Sequence, residues 1–217
     1  MTSSVNHYSS FICKICKNYR HCHQKEMKVP LFWLLSVICS PYCRAGSWFG
    51  QDPGCTKPCV QGDESIMSPK EHGTSWTPVQ SPLRWGCDSQ VADQICNFNR
   101  HYAEYSGYWQ ATSFLEEVDG AVKEGTPIVF YDSNTGKPLF RAPVNRSWGE
   151  FLKESRSHGW PSFRDDEVVW ENVRVLPGGE TVSVDGTHLG HNLPDSKGRR
   201  YCINLVSVAG NPNTSRP

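Results

Sequence analysis

Residues 188–204, reading HLGHNLPDSKGRRYCIN, constrain this chain more than any other stretch. Two imidazoles, His188 and His191, stand three residues apart. A polar Pro/Asp/Ser/Lys/Gly segment follows, and then an apolar run carrying a single cysteine, Cys202. The run 201–208 is rich in aromatic and β-branched residues, as strands are. Residues 192–198 have the composition of a loop. The spacing predicts a strand–loop–strand hairpin that brings His188 and His191 close to Cys202. A thiol beside imidazoles is the arrangement that yields a thiolate nucleophile at neutral pH.

At 217 residues the chain is one domain, or one domain with appendages. Its 22 basic and 22 acidic residues balance, so no global field points to nucleic acid or a membrane surface as partner. Fifteen Pro and eighteen Gly imply many turns and short strands rather than long helices. Ten Cys is high for a cytosolic protein and suits an oxidising compartment.

The N-terminal region agrees with that compartment. Met27 and Lys28 precede an apolar run, VPLFWLLSVIC, followed by small residues at Cys43 and Ala45. Residues 27–46 therefore read as a secretory signal peptide, too short to span a bilayer. Residues 1–26 read as a disordered upstream extension. Their Cys13-x-x-Cys16 and Cys22-His23 resemble a zinc knuckle only superficially, because the halves lie too close together. Secretion, or residence in the secretory-pathway lumen, is the expected location. Removing the signal leaves Cys55, Cys59, Cys87, Cys96 and Cys202. Local spacing suggests Cys55–Cys59 and Cys87–Cys96 as disulfides, with Cys202 the odd, reactive thiol.

Residues 47–81 have no sustained apolar period and read as a Pro/Gly/Ser-rich arm. The domain proper spans 82–210. Within it, 97–110 and 113–122 are the helix or helix–turn candidates. Residues 127–131 and 139–142 flank turn chemistry at 132–138 and read as a β-hairpin. Ser147, with Glu150 three residues on, is a capping box opening a short helix over 147–154. Strands are expected at 168–175 and 181–184, joined at Pro177-Gly178-Gly179. The expected fold is mainly β, with a few short helices.

Four short motifs occur in order: GKPLF at 136–140, GWPSF at 159–163, HLGH at 188–191 and RYCIN at 200–204. Together they resemble the methionine-R-sulfoxide reductase domain family over a core of 126–209. The resemblance implies two antiparallel sheets of the Mss4-like, or β-tent, type. It also implies reduction of methionine-R-sulfoxide in peptides or proteins. The chemistry needs a soft nucleophile for sulfur and an acid for the departing oxygen. Cys202 would attack and become a sulfenic acid. His191, or His188, would supply the proton. Trp160 would wall the S-methyl group, with Phe163 of the same motif also on the substrate side. Asn204, two residues beyond Cys202, would share its face and orient an imidazole or the substrate. Taken singly, each residue has a structural explanation, since a buried cysteine or tryptophan is by default core. The joint pattern carries the functional reading.

The chain departs from the family at three places, one of them the loop between His191 and Cys202, which is shorter than usual for the family. Many members bind zinc through two Cys-x-x-Cys pairs. The equivalent positions here are Asp132, Thr135, Val182 and Asp185, so no metal is expected. The resolving cysteine of the family would sit at His158. Cys87, Cys96 or an external thiol would have to replace it. No cofactor is implied beyond a small-thiol or thioredoxin-fold reductant, and the protein is expected to be a monomer. Asn145 and Asn213 head N-glycosylation sequons, and 211–217 read as a disordered tail. A non-catalytic secreted binding module on the same scaffold is the alternative. A structural protein with Cys202 in an intermolecular disulfide is a third reading.

Overall fold

The computed structural model describes residues 55–213. The expected extension 1–26, signal peptide 27–46, start of the arm 47–54 and end of the tail 214–217 lie outside the described residues.

Three α-helices and seven strands are formed among the described residues. The helices are α1 (Ser89–Asp93), α2 (Phe114–Glu124) and α3 (Trp148–His158). Strands β1 (Ile128–Tyr131) and β2 (Pro138–Ala142) make a two-stranded antiparallel sheet. Strands β3 (Ser162–Phe163), β4 (Val173–Val175), β5 (Glu180–Ser183), β6 (His188–Asn192) and β7 (Tyr201–Ile203) make the second sheet. Its order is β3-β7-β6-β5-β4, with every pairing antiparallel. Two antiparallel sheets match the expectation. The strands are short and two helices run eleven residues each, so the fold is mixed α and β rather than mainly β.

Local chemistry explains these elements. In α2 the buried residues Phe114, Val118 and Ala121 recur at helical spacing. α3 opens on the expected capping box: the Glu150 amide donates to Ser147 Oγ, and the Ser147 amide donates to Glu150 Oε2. It closes on Gly159 at φ +92°, where a Cβ would lie 2.1 Å from Ser106 Oγ. Only glycine lets the 99–107 segment approach so closely, and the Gly107 amide then donates to the Gly159 carbonyl at 2.7 Å.

One aromatic cluster unites the two sheets and α3. Phe163 stacks on Phe140 at 4.3 Å between ring centroids and lies 4.9 Å from Phe130 and 5.4 Å from Phe151. All four are fully buried. Each such ring contributes about 1.5–3 kcal/mol by leaving water.

Four expectations are corrected. Residues 97–110 do not form a helix. After a wide turn over Gln94–Phe98 the chain runs irregularly to a single tight turn at Tyr108–Ala111. The Glu104 amide is taken by Asn204 instead of a helical partner. The strand expected over 201–208 stops at Ile203, and Leu205–Ser207 is a tight turn.

The described part of the arm, 55–81, is built onto the domain. The Gly62 amide donates to the Val175 carbonyl, and Val175 donates back to Val60, which covers the β4 edge. Met67 is buried against Leu176 and Val182.

Finally, Cys55–Cys59 is a disulfide, but Cys87 and Cys96 are separate thiols. They flank α1, and a rise of ~1.5 Å per residue separates them by roughly 10–13 Å. A disulfide needs a Cα separation of about 4.4–6.8 Å.

Candidate active site

A four-residue row crosses the large sheet. Glu180 on β5 pairs with His191 on β6, His191 pairs with Cys202 on β7, and Cys202 pairs with Ser162 on β3. Opposed residues in antiparallel strands share a face, with Cβ atoms about 4.5–5.5 Å apart. The expected hairpin therefore does bring His191 beside Cys202. Gly190 makes the close pairing feasible. Its φ is +154°, and a Cβ there would lie 2.0 Å from the Cys202 carbonyl oxygen.

Beside this row is a cavity of ≈ 310 Å³, lined by Cys202, His191, His188, Trp160 and Asn204. Its outer wall is the irregular segment Arg100, His101, Tyr102 and Ala103, with Leu193 at the rim. Five of the expected site residues thus meet on one cavity. Phe163 does not. It belongs to the aromatic core, because its neighbour Ser162, not Phe163, shares the face of Cys202. Cys87 and Cys96 are buried and do not line the cavity. Cys96 Sγ instead donates to Ser207 Oγ at 3.4 Å. Neither thiol is placed to resolve an oxidised Cys202 within this fold.

The electrostatics separate the two imidazoles. His188 is buried, and its Nδ1 lies 2.7 Å from Glu180 Oε1, so that nitrogen carries the hydrogen toward the carboxylate. Arg100 clamps the same carboxylate through Nε at 3.1 Å and Nη2 at 2.5 Å. Burial opposes ionisation of Glu180, but the hydrogen bonds and charges of His188 and Arg100 outweigh it and hold the carboxyl at about 2. His191 is half-buried, its ring 5.7 Å from that of His188. Burial, and then the charge of His188, push the His191 imidazole below its usual value. His191 is therefore shifted toward its neutral, proton-accepting form.

Cys202 is half-buried, and burial pushes its thiol above the ordinary value. The Arg200 guanidinium opposes this through charge and hydrogen bonding, while Glu104 adds to it. The resting site thus holds a thiol, not the thiolate expected from the sequence. Arg200 is buried, and its Nε and Nη1 have no hydrogen-bond partner; Nε lies 3.6 Å from Asp195 Oδ2.

Asn204 also differs from its expected role. Its Nδ2 donates to the Leu189 carbonyl at 3.1 Å, and its Oδ1 accepts from the Glu104 amide at 3.2 Å. It braces strand β6 against the outer wall rather than orienting an imidazole. Trp160 presents its ring to the cavity and donates Nε1 to the Glu104 carbonyl at 3.0 Å.

Sequence reasoning assigns no role to Arg200, although it opens the RYCIN motif. It also passes over Arg100 and Glu104, which lie upstream of all four motifs. Their only sequence signal is three charged residues, Arg100, His101 and Glu104, packed among tyrosines.

The positions equivalent to the family's zinc cysteines hold a different structure. The buried Asp132 carboxylate accepts Thr187 Oγ1 at 2.9 and 3.0 Å and the Asn134 amide at 2.8 Å. Lys137 pairs with Asp185 at 2.9 Å, and Val182 is apolar core. A hydrogen-bonded carboxylate, an ion-paired aspartate, a threonine and a valine do not fit a tetrahedral thiolate site. Among the described residues no group of three or more His, Cys, Asp or Glu is arranged to hold a metal ion.

A larger cavity of ≈ 790 Å³ lies between α3 and the 193–200 loop. Several of its charges pair with one another, Arg164 with Glu154 and Asp195, and Arg146 with Glu154. It contains no thiol, so the smaller cavity is the chemical one. No helix of the described residues is long and apolar enough to cross a membrane. A scan against protein-family models finds no match for the chain.

Proposed function

We propose that this chain reduces methionine-R-sulfoxide in peptides or proteins, in the secretory pathway or outside the cell, on an Mss4-like scaffold. One observation carries the reading: the opposed pair His191–Cys202 opens on a cavity that also presents His188 and the Trp160 ring. In this reading the S-methyl group rests on Trp160, where sulfur–aromatic contact is worth ~0.3–1.5 kcal/mol. Neutral His191 takes the thiol proton as Cys202 Sγ attacks the sulfoxide sulfur. The resulting imidazolium returns that proton to the sulfoxide oxygen. Oxygen passes to Cys202, giving the sulfenic acid and methionine; sulfur is reduced in the substrate and oxidised in the enzyme. One external thiol then displaces water to form a mixed disulfide, and a second regenerates Cys202. An external reductant is required because Cys87 and Cys96 stand away from the cavity.

The Cys202 thiol is held protonated at rest. That favours the second reading, a module that binds a methionine-like group without turnover. A single-turnover assay decides. Protein from Ser47 onward is mixed with a methionine-R-sulfoxide peptide and a chemical dithiol, beside Cys202→Ser. Methionine from wild type alone supports the reductase. Binding by both without turnover supports the module, and no binding by either removes both readings.

A further inference from the structure

We propose that Glu104 is the positioning residue of the Cys202 cavity, holding Trp160, Asn204 and the turn after Cys202 in one hydrogen-bonded frame. The inference rests on the reading of Cys202 as the reactive thiol. Every polar group of Glu104 is engaged. Its carbonyl accepts Trp160 Nε1 at 3.0 Å, and its amide donates to Asn204 Oδ1 at 3.2 Å. Its carboxylate accepts the Leu205 amide at 2.8 Å and the Val206 amide at 3.0 Å. Those amides open the tight turn that follows β7, three residues beyond Cys202. A side chain only 3% exposed thus fixes a wall of the cavity, its brace and the end of the nucleophile's strand.

The frame is also an electrostatic neighbour of the thiol. The carboxylate charge acts on Cys202, and also on Cys87, Cys96 and Tyr108. Burial raises the Glu104 carboxyl to about 7, against the two backbone amides that favour its charged form. Its charge therefore appears across neutral pH and makes the Cys202 thiolate harder to form. Arg200 acts on Cys202 in the opposite sense. His191, paired with Cys202, titrates below its usual value, and Glu180 with Arg100 stays charged throughout.

The test is the pH dependence of Cys202 alkylation by iodoacetamide, read by peptide mapping in wild type and Glu104→Gln. No sulfoxide is involved, so failure of the reductase reading leaves this test intact. The variant should match wild type at pH 6 and react about threefold faster or more at pH 8, the ratio for a thiol displaced by about half a pH unit. His191 and Arg200 affect both proteins alike and cancel in the ratio. A ratio that stays constant between pH 6 and 8 overturns the proposal, because a purely structural role has no reason to follow pH. Should Glu104→Gln not fold, the rate profile of His191→Ala decides, because it lacks the other group that titrates beside the thiol. Log rate against pH should become shallower around pH 7, with a slope of about 0.7, and then resume unit slope; an unbroken unit slope overturns the proposal.

Discussion

His191 and Cys202 are directly opposed across the β6–β7 ladder, and Gly190, beside His191, lets the two backbones approach. Burial lowers the imidazole pKa and raises that of the thiol; in the proposed reaction the thiol proton passes to His191 on attack. His191→Ala should reduce peptide sulfoxide turnover by roughly 10²–10⁴-fold, the usual contribution of general acid–base catalysis. Wild-type turnover should fall as pH drops through the His191 value, below ~6.5, since the protonated ring cannot accept the thiol proton. Steady-state rates from pH 5 to 8 check this, and an acid limb that persists in the variant would contradict it.

The cysteines are chemically distinct. Cys96 is fully buried and Cys87 nearly so, whereas Cys202 is only half-buried. Burial pushes the Cys87 thiol up to about 12 and that of Cys96 higher still. Iodoacetamide under native conditions should label Cys202 first, and all three only after denaturation. Mass spectrometry without reduction should find Cys55 linked to Cys59. A Cys87–Cys96 crosslink would show that α1 is not formed as described.

The Glu180 carboxylate ties three elements together through His188 and Arg100. Its folded value, about 2, lies below the unfolded value near 4.3. A depressed acid stabilises the fold above its unfolded pKa, and that contribution fades as pH falls toward the folded one. Urea unfolding should therefore show stability declining between about pH 4.5 and 2, with on the order of 2–3 kcal/mol from this group. Glu180→Gln should be less stable at pH 7 and should show a smaller acid dependence. Identical pH slopes in the two proteins would remove Glu180 from the account.

Thr187 donates its hydroxyl to the fully buried Asp132. Replacing it with valine keeps the shape but leaves a fully buried carboxyl group short of a hydrogen-bond partner. Thr187→Val should cost about 1–3 kcal/mol in urea unfolding. Adding zinc should not restore it, because the neighbouring donors do not make a metal site. Recovery of stability in zinc would refute that conclusion.

Local chemistry is legible in the amino-acid order. Ser147 and Glu150 announce the start of α3 because a capping box involves residues three apart. Turn residues at 132–138 and the apolar runs beside them announce the β1–β2 hairpin. HLGH, a loop and RYCIN likewise announce a hairpin with His191 beside Cys202, since strand spacing alone sets which residues can face each other.

Relations that depend on distant contacts are not legible there. Whether Phe163 faces the cavity or the core depends on the β3–β7 register, which places Ser162 opposite Cys202. Whether 97–110 coils into a helix depends on partners a hundred residues away, and Asn204, Leu205 and Val206 claim Glu104. The ionisation of Cys202 is hidden for the same reason. Proximity to imidazoles favours a thiolate, but burial, which exists only once the chain is packed, outweighs it. The sequence by itself determined the short-range elements and the reactive residue types, through backbone geometry and hydrogen bonds within a few residues. Only the tertiary structure decided exposure, register and charge state, because each is set by groups that folding brings together from far along the chain.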